Sequence, residues 1–286
     1  MKNSANSSEL GRASWAIVRQ NHSLLSFPVI GVVLSLIPII IFWIPCAVLL
    51  GLDRNVPGVI FGFFGVVGSV FVIQFAHAAL VLGADDALHD RPVSLSSCFV
   101  RALRRTPAIL GWSMVNAVVQ LFVGFLQGDE SGSGLGSIIM AIFRALLGAV
   151  VSIAWRLVTW LVMPFIMFDE AGPVTAIKGS FGVFRDHWGT QIRGFARITF
   201  SRVLLLTLPG LLLVIGGVLL AVSNSATMGL PMILLGVILM TLGSLLFHTV
   251  RGVFSVVMYR YLIDGSVLGG FSASRLDAAV MSDTSR

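Results

Sequence analysis

The stretch AWRLVTWLVMPFIMFDE, residues 154–170, decides the fold because it stays almost wholly apolar over about four helical turns. Its one internal charge is Arg156, which lies midway between Arg144 and the acidic pair Asp169/Glu170. At ~1.5 Å per residue, this arginine is about 18–20 Å from each of these flanking charges. Such a segment is stable only in apolar surroundings, so the solvent around the chain has to be established first.

The composition indicates that this solvent is lipid. Of the 286 residues, 56% are hydrophobic and 11% are charged, and the mean hydropathy is +0.95. Soluble domains carry about a quarter charged residues. A water-soluble globule could not enclose so much apolar surface, because much of any folded chain remains at its exterior. We therefore predict an all-α fold, a polytopic membrane helix bundle.

Six apolar segments are long enough to cross a bilayer, which takes about 20 helical residues. The predicted spans are residues 26–51, 57–82, 107–127, 145–168, 203–222 and 229–250, the last continuing as helix toward 262. They form one predicted membrane domain over residues 1–265, followed by a polar, flexible C-terminal tail over 266–286.

Small residues and prolines predict the packing of these spans. Pro38 and Pro45 should bend span one, because each lacks an amide hydrogen. Helices in lipid associate where small residues let their backbones approach. Two such seams are predicted, one on span two (Gly58, Gly62, Gly65, Gly68 and Ser69) and one on span six (Gly229, Gly236 and Gly243).

The basic residues predict the orientation of the chain. Sixteen of the 19 Lys and Arg residues fall on one side of the six-span arrangement. Because basic loops are retained in the cytoplasm, both termini should be cytoplasmic and the protein should lie in the cytoplasmic (inner) membrane. The even number of spans agrees with that placement.

Three segments on the basic side have the pattern of amphipathic interfacial helices. The first covers about residues 8–22. The second sets Leu95, Phe99, Ala102 and Leu103 against Arg101, Arg104 and Arg105, and the third has an apolar stripe of Ile177, Phe181, Phe184 and Trp188. Each precedes two spans, which predicts three helical units near 7–85, 86–168 and 169–263. The helices either cap the bundle or bind anionic headgroups, and the pattern leaves both open.

Four segments of the chain resemble a family of uncharacterised prokaryotic multi-span membrane proteins. They are SWAIVRQNHSLLSFPVI (14–30), RPVSLSSCFVRALRRTPAILGW (91–112), AWRLVTWLVMPFIMFDEAGPVTAIKGSFGVFRDHWG (154–189) and YRYLIDG (259–265). The third is also similar to the membrane domains attached to some glycerophosphodiester phosphodiesterases. The resemblance implies a helical bundle in a prokaryotic membrane, and it implies no activity and no functional residues.

Arg156 is the main candidate for a site, because a charge at the centre of a span costs about 2.5–3.5 kcal/mol. Three interpretations are open. In the first, Arg156 lines a polar pocket that receives an anion; in the second, it lies shallow near the interfacial Trp155 and Trp160; in the third, it is a structural hydrogen-bond hub. The neutral polar side chains that could complete a pocket are Gln74, His77, Asn116 and Gln120.

Other candidate contacts lie at the basic side. The predicted contacts to lipid headgroups are Arg101, Arg104, Arg105, Lys178, Arg185, His248 and Arg251. The segment GADDALHD, residues 83–90, could suggest a metal–phosphate site, but we interpret it as a short solvated turn. Catalytic motifs and metal-ligand spacings are missing from the sequence, so we predict no enzyme, no metal and no cofactor.

The sequence favours a non-enzymatic membrane protein, a lipid-interacting scaffold or an accessory subunit of a membrane complex. Its expected partners are anionic membrane lipids and either a second copy or an unknown membrane protein, and no nucleic acid. The alternative is a small transporter or channel with a pocket around Arg156. An enzyme acting on lipid headgroups ranks third.

Overall fold

The computed structural model describes residues 13–126, 135–187, 192–222 and 226–268. Within these ranges the chain is helical and has no strand, so the predicted all-α fold is confirmed there. The helices are α1 (residues 13–20), α2 (Ser23–Gly51), α3 (Asn55–Leu88), α4 (Leu95–Leu103), α5 (Thr106–Leu126), α6 (Leu135–Val158), α7 (Val162–Phe168), α8 (Pro173–His187), α9 (Ile192–Val222) and α10 (Ala226–Asp264).

Among the residues that the structure describes, five helical segments are long and apolar enough to cross a membrane. They are Ser23–Gly51, Asn55–Leu88, Thr106–Leu126, Phe143–Phe168 and Thr227–Asp264, and they coincide with predicted spans one to four and six. Predicted span five coincides with the apolar part of α9, Thr207–Val222, which is shorter. The chain is therefore a multi-span membrane protein. Most of the predicted C-terminal tail and the start of the first amphipathic segment lie outside the described residues.

The prolines of α2 coincide with the irregularities predicted for span one. The helix is interrupted at Ser35, and Ile39–Trp43 form a π-helical turn between Pro38 and Pro45. A proline leaves the carbonyl four residues before it without its usual amide donor, so the backbone around it has to rearrange. The Ser35 hydroxyl donates to the Val32 carbonyl oxygen at 2.5 Å, which gives the interrupted turn one side-chain hydrogen bond.

Predicted span four is one apolar segment but two helices. Residues 159–161 form a turn between α6 and α7, so the predicted span over 145–168 crosses as two consecutive helices. Pro164 accounts for the break, because it cannot donate to the Trp160 carbonyl and its ring crowds that group. The turn tightens locally, with the Trp160 amide donating to the Leu157 carbonyl oxygen at 3.3 Å.

The chain forms two compact units. The first contains the described residues of 1–29, 83–95 and 187–286, and the second contains those of 30–82 and 96–186. In the second unit, α2 packs on the glycine face of α3. A methyl group at Gly62 would lie 3.3 Å from Cys46 Sγ, and one at Gly65 would lie 3.1 Å from the Trp43 ring. The seam predicted for span two is therefore confirmed.

In the first unit, α9 and α10 form a hairpin held by glycines on both helices. A methyl group at Gly217 would lie 2.7 Å from the Gly229 carbonyl oxygen, and one at Gly236 would lie 2.5 Å from the Gly210 carbonyl oxygen. The backbones touch there without intervening side chains. The predicted seam on span six is thus confirmed at Gly229 and Gly236.

The other end of α10 belongs to a buried core. Residues 252–259 of α10 are all buried, as are residues 83–88 at the end of α3. A methyl group at Gly83 would lie 2.7 Å from the ring of Phe27, which is itself fully buried. This core positions the charged cluster described next.

Candidate functional site

Two acidic residues at the end of α3 are buried. The sequence interpretation placed GADDALHD in a solvated turn, but α3 continues through Leu88, and Asp85 and Asp86 are only 5% and 8% exposed. That interpretation was wrong because the apolar residues around the carboxylates extend the helix into the core of the first unit. Buried carboxylates need charged or hydrogen-bonding partners.

Two arginines hold the Asp85 carboxylate. Arg91 Nη2 donates to Asp85 Oδ2 at 2.9 Å and lies 3.2 Å from Asp86 Oδ1. Arg260 Nε donates to Asp85 Oδ1 at 2.9 Å, and its Nη1 donates to Asp264 Oδ2 at 2.7 Å. We call these five side chains the Asp85 network. It joins the end of α3 to the end of α10.

The Asp85 network matches an ionic clamp better than a metal site. His89 Nδ1 lies 2.8 Å from the backbone oxygen of Asp85, so that ring nitrogen is engaged by the backbone. Among the described residues, no group of three or more His, Cys, Asp or Glu side chains could hold a metal ion. Sequence reasoning missed the clamp, and the only signal was the Arg260/Asp264 pair at i, i+4 in YRYLIDG.

Asn116, one of the residues of the predicted polar pocket, contacts the neighbouring helix. Trp155 Nε1 of α6 donates to Asn116 Oδ1 of α5 at 3.1 Å. The Trp155 ring also stacks on Trp112, with ring centroids 5.8 Å apart and an interplanar angle of 24°. An indole held by stacking and by its N–H fixes α5 against α6.

The remaining pocket residues differ in exposure. Gln74 and His77 on α3 are half-buried, as is Asn116, whereas Gln120 and Arg156 are exposed. Arg156 directly follows Trp155, and its side chain is exposed while that of Trp155 contacts Asn116 of α5.

Some of the side chains predicted to contact lipid headgroups instead contact other residues of the second unit. Arg105 forms an ion pair with Glu170, and Arg101 Nη2 lies 3.3 Å from the buried Cys98 Sγ. Arg104, Lys178 and Arg185 are exposed. In the first unit, His248 is exposed and Arg251 is half-buried.

The inner face of α8 is attached to the break between α6 and α7. The Ser180 hydroxyl donates to the Val158 carbonyl oxygen at 2.5 Å and accepts from the Leu161 amide at 3.2 Å. A methyl group at Gly179 would lie 2.9 Å from the Phe165 ring. The small residues of α8 thus determine which of its faces packs inward.

The outer face of α8 mixes apolar and basic side chains. Val174, Lys178, Phe181 and Arg185 are exposed and follow one another at spacings of four, three and four, so they share one face. We call this line the α8 outer face. The predicted apolar stripe is only partly reproduced, because Ile177 and Phe184 are half-buried while Phe181 is exposed, and Trp188 lies outside the described residues.

Comparison with known proteins identifies the family. The family described as Family of unknown function (DUF6159) matches residues 56–270, which is about three quarters of the chain. The chain belongs to the DUF6159 family. No curated protein and no solved structure matches it. In this DUF6159 protein the matched region runs from the start of α3 past the end of α10, so it includes the Asp85 network and the α8 outer face.

Proposed function

We propose that this DUF6159 protein is a non-enzymatic membrane scaffold or accessory subunit that binds anionic lipid through its basic helices. The α8 outer face is the observation that carries this proposal. Ser180 and Gly179 fix the opposite, inner face of helix α8 against the rest of the second unit. The exposed line of Val174, Lys178, Phe181 and Arg185 therefore has a fixed direction.

The chemistry of that line suits the interface of an anionic leaflet. Val174 and Phe181 supply apolar side chains that can enter the headgroup boundary. Lys178 and Arg185 supply two cations on the same face, each worth about 1 kcal/mol against an anionic surface. Exposed Arg104 on the neighbouring basic segment adds a third cation.

The proposal includes a topology of six spans in a prokaryotic cytoplasmic membrane, with both termini cytoplasmic. The 31 residues of α9 extend about 46 Å, more than the ~30 Å of hydrocarbon that a span has to cross. With α9 as a span, the basic segments fall on one side. The likeness to membrane domains of glycerophosphodiester phosphodiesterases belongs to this proposal as an expectation about architecture.

The test compares lipid-dependent stability of the purified full-length protein in detergent. Phosphatidylglycerol should raise the Tm of the wild type more than phosphatidylcholine does. In a Lys178→Gln/Arg185→Gln variant that difference should fall, because losing about 2 kcal/mol corresponds to roughly 30-fold weaker lipid binding. Arg54→Gln is the matched control, since Arg54 is exposed but lies on the side predicted to be opposite. Equal lipid selectivity in the double variant and the control would overturn the proposal.

The transporter alternative has less support in the geometry. The Asn116 side-chain oxygen is engaged by Trp155, and Arg156 and Gln120 are exposed. A substrate pathway needs polar groups that converge on a shared cavity between spans. Loss of uptake of a defined anion in Arg156→Leu, with folding intact, would reverse this ranking.

A further inference from the structure

The break between α6 and α7 is closed by a side chain of a third helix, Ser180 of α8. We propose that α8 is a lipid-controlled latch on this break. With Ser180 bound, predicted span four is two helices, and when α8 lifts away, residues 157–162 close into one continuous helix. Anionic lipid on the α8 outer face keeps the latch closed, so the inference adds regulation to the proposed lipid binding and rests on it.

The backbone groups that Ser180 binds are those that a continuous helix would pair internally. In such a helix the Leu161 amide would donate to the Leu157 carbonyl. The Val162 amide would likewise donate to the Val158 carbonyl. In the break, the Ser180 hydroxyl accepts from the Leu161 amide at 3.2 Å and donates to the Val158 oxygen at 2.5 Å. One side chain therefore takes the place of two helical partners.

The remaining backbone partners are engaged inside the turn itself. The Trp160 amide donates to the Leu157 oxygen at 3.3 Å, and the Val162 amide donates to the Thr159 oxygen at 3.2 Å. The same groups are thus satisfied in the broken and in the continuous arrangement, which an element with two states requires in an apolar setting. Pro164 favours the break, because its ring crowds the Trp160 carbonyl in a continuous helix.

The attachment of α8 leaves its middle releasable. All of its contacts named here lie within the second unit. The first turn of α8 packs on α5, where a methyl group at Gly111 would lie 3.0 Å from the Pro173 ring. The middle of α8 is held by Ser180. A released Ser180 hydroxyl can donate to the Ala176 carbonyl one turn back, as serine does within helices, so release does not strand it.

The α8 outer face connects the latch to lipid. Lys178 and Arg185 are exposed and lie about 140–160° around the helix from Ser180. A ligand shifts an equilibrium between two states only by the difference in its affinity for them. Lipid that binds an outer face already held in one direction has less orientational freedom to remove, so its affinity is higher for the latched state. Anionic lipid and the latch therefore stabilise each other.

The experiment measures the distance between α6 and α8 by double electron–electron resonance on the full-length protein in lipid nanodiscs. Spin labels are attached at Val150→Cys, which is exposed on α6, and at Gly182→Cys, where an added methyl group meets no atom within 4 Å. The native Cys46 and Cys98 are buried, which limits background labelling.

Lipid composition should change the populations of two distances. In phosphatidylglycerol we expect one dominant, short distance for the latched state, and in phosphatidylcholine an additional, longer one. The ratio of latched to released protein should differ between the two lipids by up to about 30-fold, the lipid affinity that Lys178 and Arg185 supply. In Lys178→Gln/Arg185→Gln that difference should disappear while the ratio in phosphatidylcholine stays that of the wild type.

Two variants test the latch itself. Ser180→Ala should lower the ratio of latched to released protein by about tenfold in both lipids, because two hydrogen bonds of ordinary strength are lost. Pro164→Ala should lower it as well, because alanine restores an amide donor to the Trp160 carbonyl. Since Pro164→Ala favours helix, misfolding does not explain a shared result. Thr175→Ala is the control, because Thr175 is exposed on α8, and it should leave the ratio unchanged.

Two outcomes would overturn the inference. One is a single distance that neither Ser180→Ala nor Pro164→Ala changes. The other is an equal ratio in both lipids although phosphatidylglycerol raises the Tm of the wild type more than phosphatidylcholine does, in which case lipid binding stands and the latch fails. If the Tm shows no such selectivity, the lipid proposal fails and lipid control of the latch fails with it, while the distances in Ser180→Ala still report whether the break has two states.

Discussion

The side-chain hydroxyl of Ser180 hydrogen-bonds to backbone groups at the turn where α6 ends and α7 begins. The break leaves the Val158 carbonyl and the Leu161 amide outside the regular helical pattern, and Ser180 hydrogen-bonds to both. Unsatisfied backbone groups in an apolar setting cost several kcal/mol. One residue of α8 therefore both permits the break and fixes the orientation of α8.

Replacing this hydroxyl should destabilise the protein. Ser180→Ala leaves the buried Leu161 amide without its acceptor, so the free energy of unfolding should fall by about 1–3 kcal/mol. Thr175→Ala is the control, because Thr175 is exposed on the same helix. Unfolding in mixed detergent micelles measures both, and equal stabilities would show that the Ser180 bonds do not matter.

The Asp85 network gives a second prediction at the scale of single residues. In Asp85→Asn the two arginines lose the charge that both of them contact, and one carboxylate oxygen becomes an amide group. Removing one partner of a buried ion pair costs 3–5 kcal/mol, and because both arginines are partly exposed we expect about 2–3 kcal/mol.

The control for this variant is Asp90→Asn. Asp90 is exposed and has φ of 55°, a conformation that Asn tolerates as well as Asp. Asp90→Asn should therefore change the stability of the protein little. Thermal unfolding of both variants provides the comparison. The clamp assignment fails if Asp85→Asn is as stable as Asp90→Asn.

The sequence could not reveal this cluster because its members are far apart along the chain. Asp85 and Arg260 are separated by 175 residues, and GADDALHD by itself has the composition of a loop. The position of Asn116 in the sequence shows that it lies within a span, and on that basis it was predicted to line a polar pocket. The sequence does not show that Trp155 donates a hydrogen bond to it. Local pattern identifies polar residues in apolar segments, whereas their partners depend on tertiary packing.

At the scale of elements, the α9–α10 hairpin depends on glycines at the points of backbone contact. Gly217 and Gly229 face each other, so a methyl group on either would meet a carbonyl oxygen at 2.7 or 2.5 Å. Lipid offers little hydrophobic gain for helix association, and close packing has to supply the stability.

Adjacent glycines on α9 provide a matched pair of variants. Gly217→Ala should force the helices apart and cost about 1–3 kcal/mol, as overpacking does elsewhere. Gly216→Ala should be neutral or stabilise by up to about 1 kcal/mol, because its methyl would lie 3.4 Å from the flexible end of Met232 and Ala favours helix. The measurement is the free energy of unfolding of each variant. Equal values for Gly217→Ala and Gly216→Ala would contradict the proposed glycine contact between α9 and α10.

The elements themselves were largely predictable, since apolar length identifies helices in lipid. The described helices follow a short–long–long order in α1–α3 and again in α8–α10, while the division of predicted span four into α6 and α7 interrupts that order between them. The details that depend on contacts were not predictable. Pro164 lies within predicted span four, but its position alone does not show that the helix breaks there. The apolar stripe of α8 predicted an inward face, and the contacts of Gly179 and Ser180 change which face that is.

At the scale of the molecule, the number of crossings determines which sequences meet at each surface. Within the described ranges, five segments have the length and hydropathy of spans, and a sixth crossing requires that α9 also spans the membrane. With six spans, Leu52 and Val267 lie on opposite sides of the membrane. With five, they lie on the same side.

The accessibility of introduced cysteines in intact cells shows on which side of the membrane residues 52 and 267 lie, and so distinguishes six crossings from five. A membrane-impermeant maleimide should label Leu52→Cys at once and Val267→Cys only after the cells are permeabilised. Both positions are exposed, and the native Cys46 and Cys98 are buried, which keeps background labelling low. Labelling of both positions without permeabilisation would exclude α9 as a span.

The separation of Asp85 from Arg260 has a consequence for biogenesis. A ribosome adds about 5–20 residues per second, so the 175 residues between them take roughly 10–35 s to make. Throughout that interval Asp85 is made but Arg260 is not. Arg91, only six residues downstream, is synthesised almost at once and can act as a temporary counterion until the last helix arrives to complete the clamp.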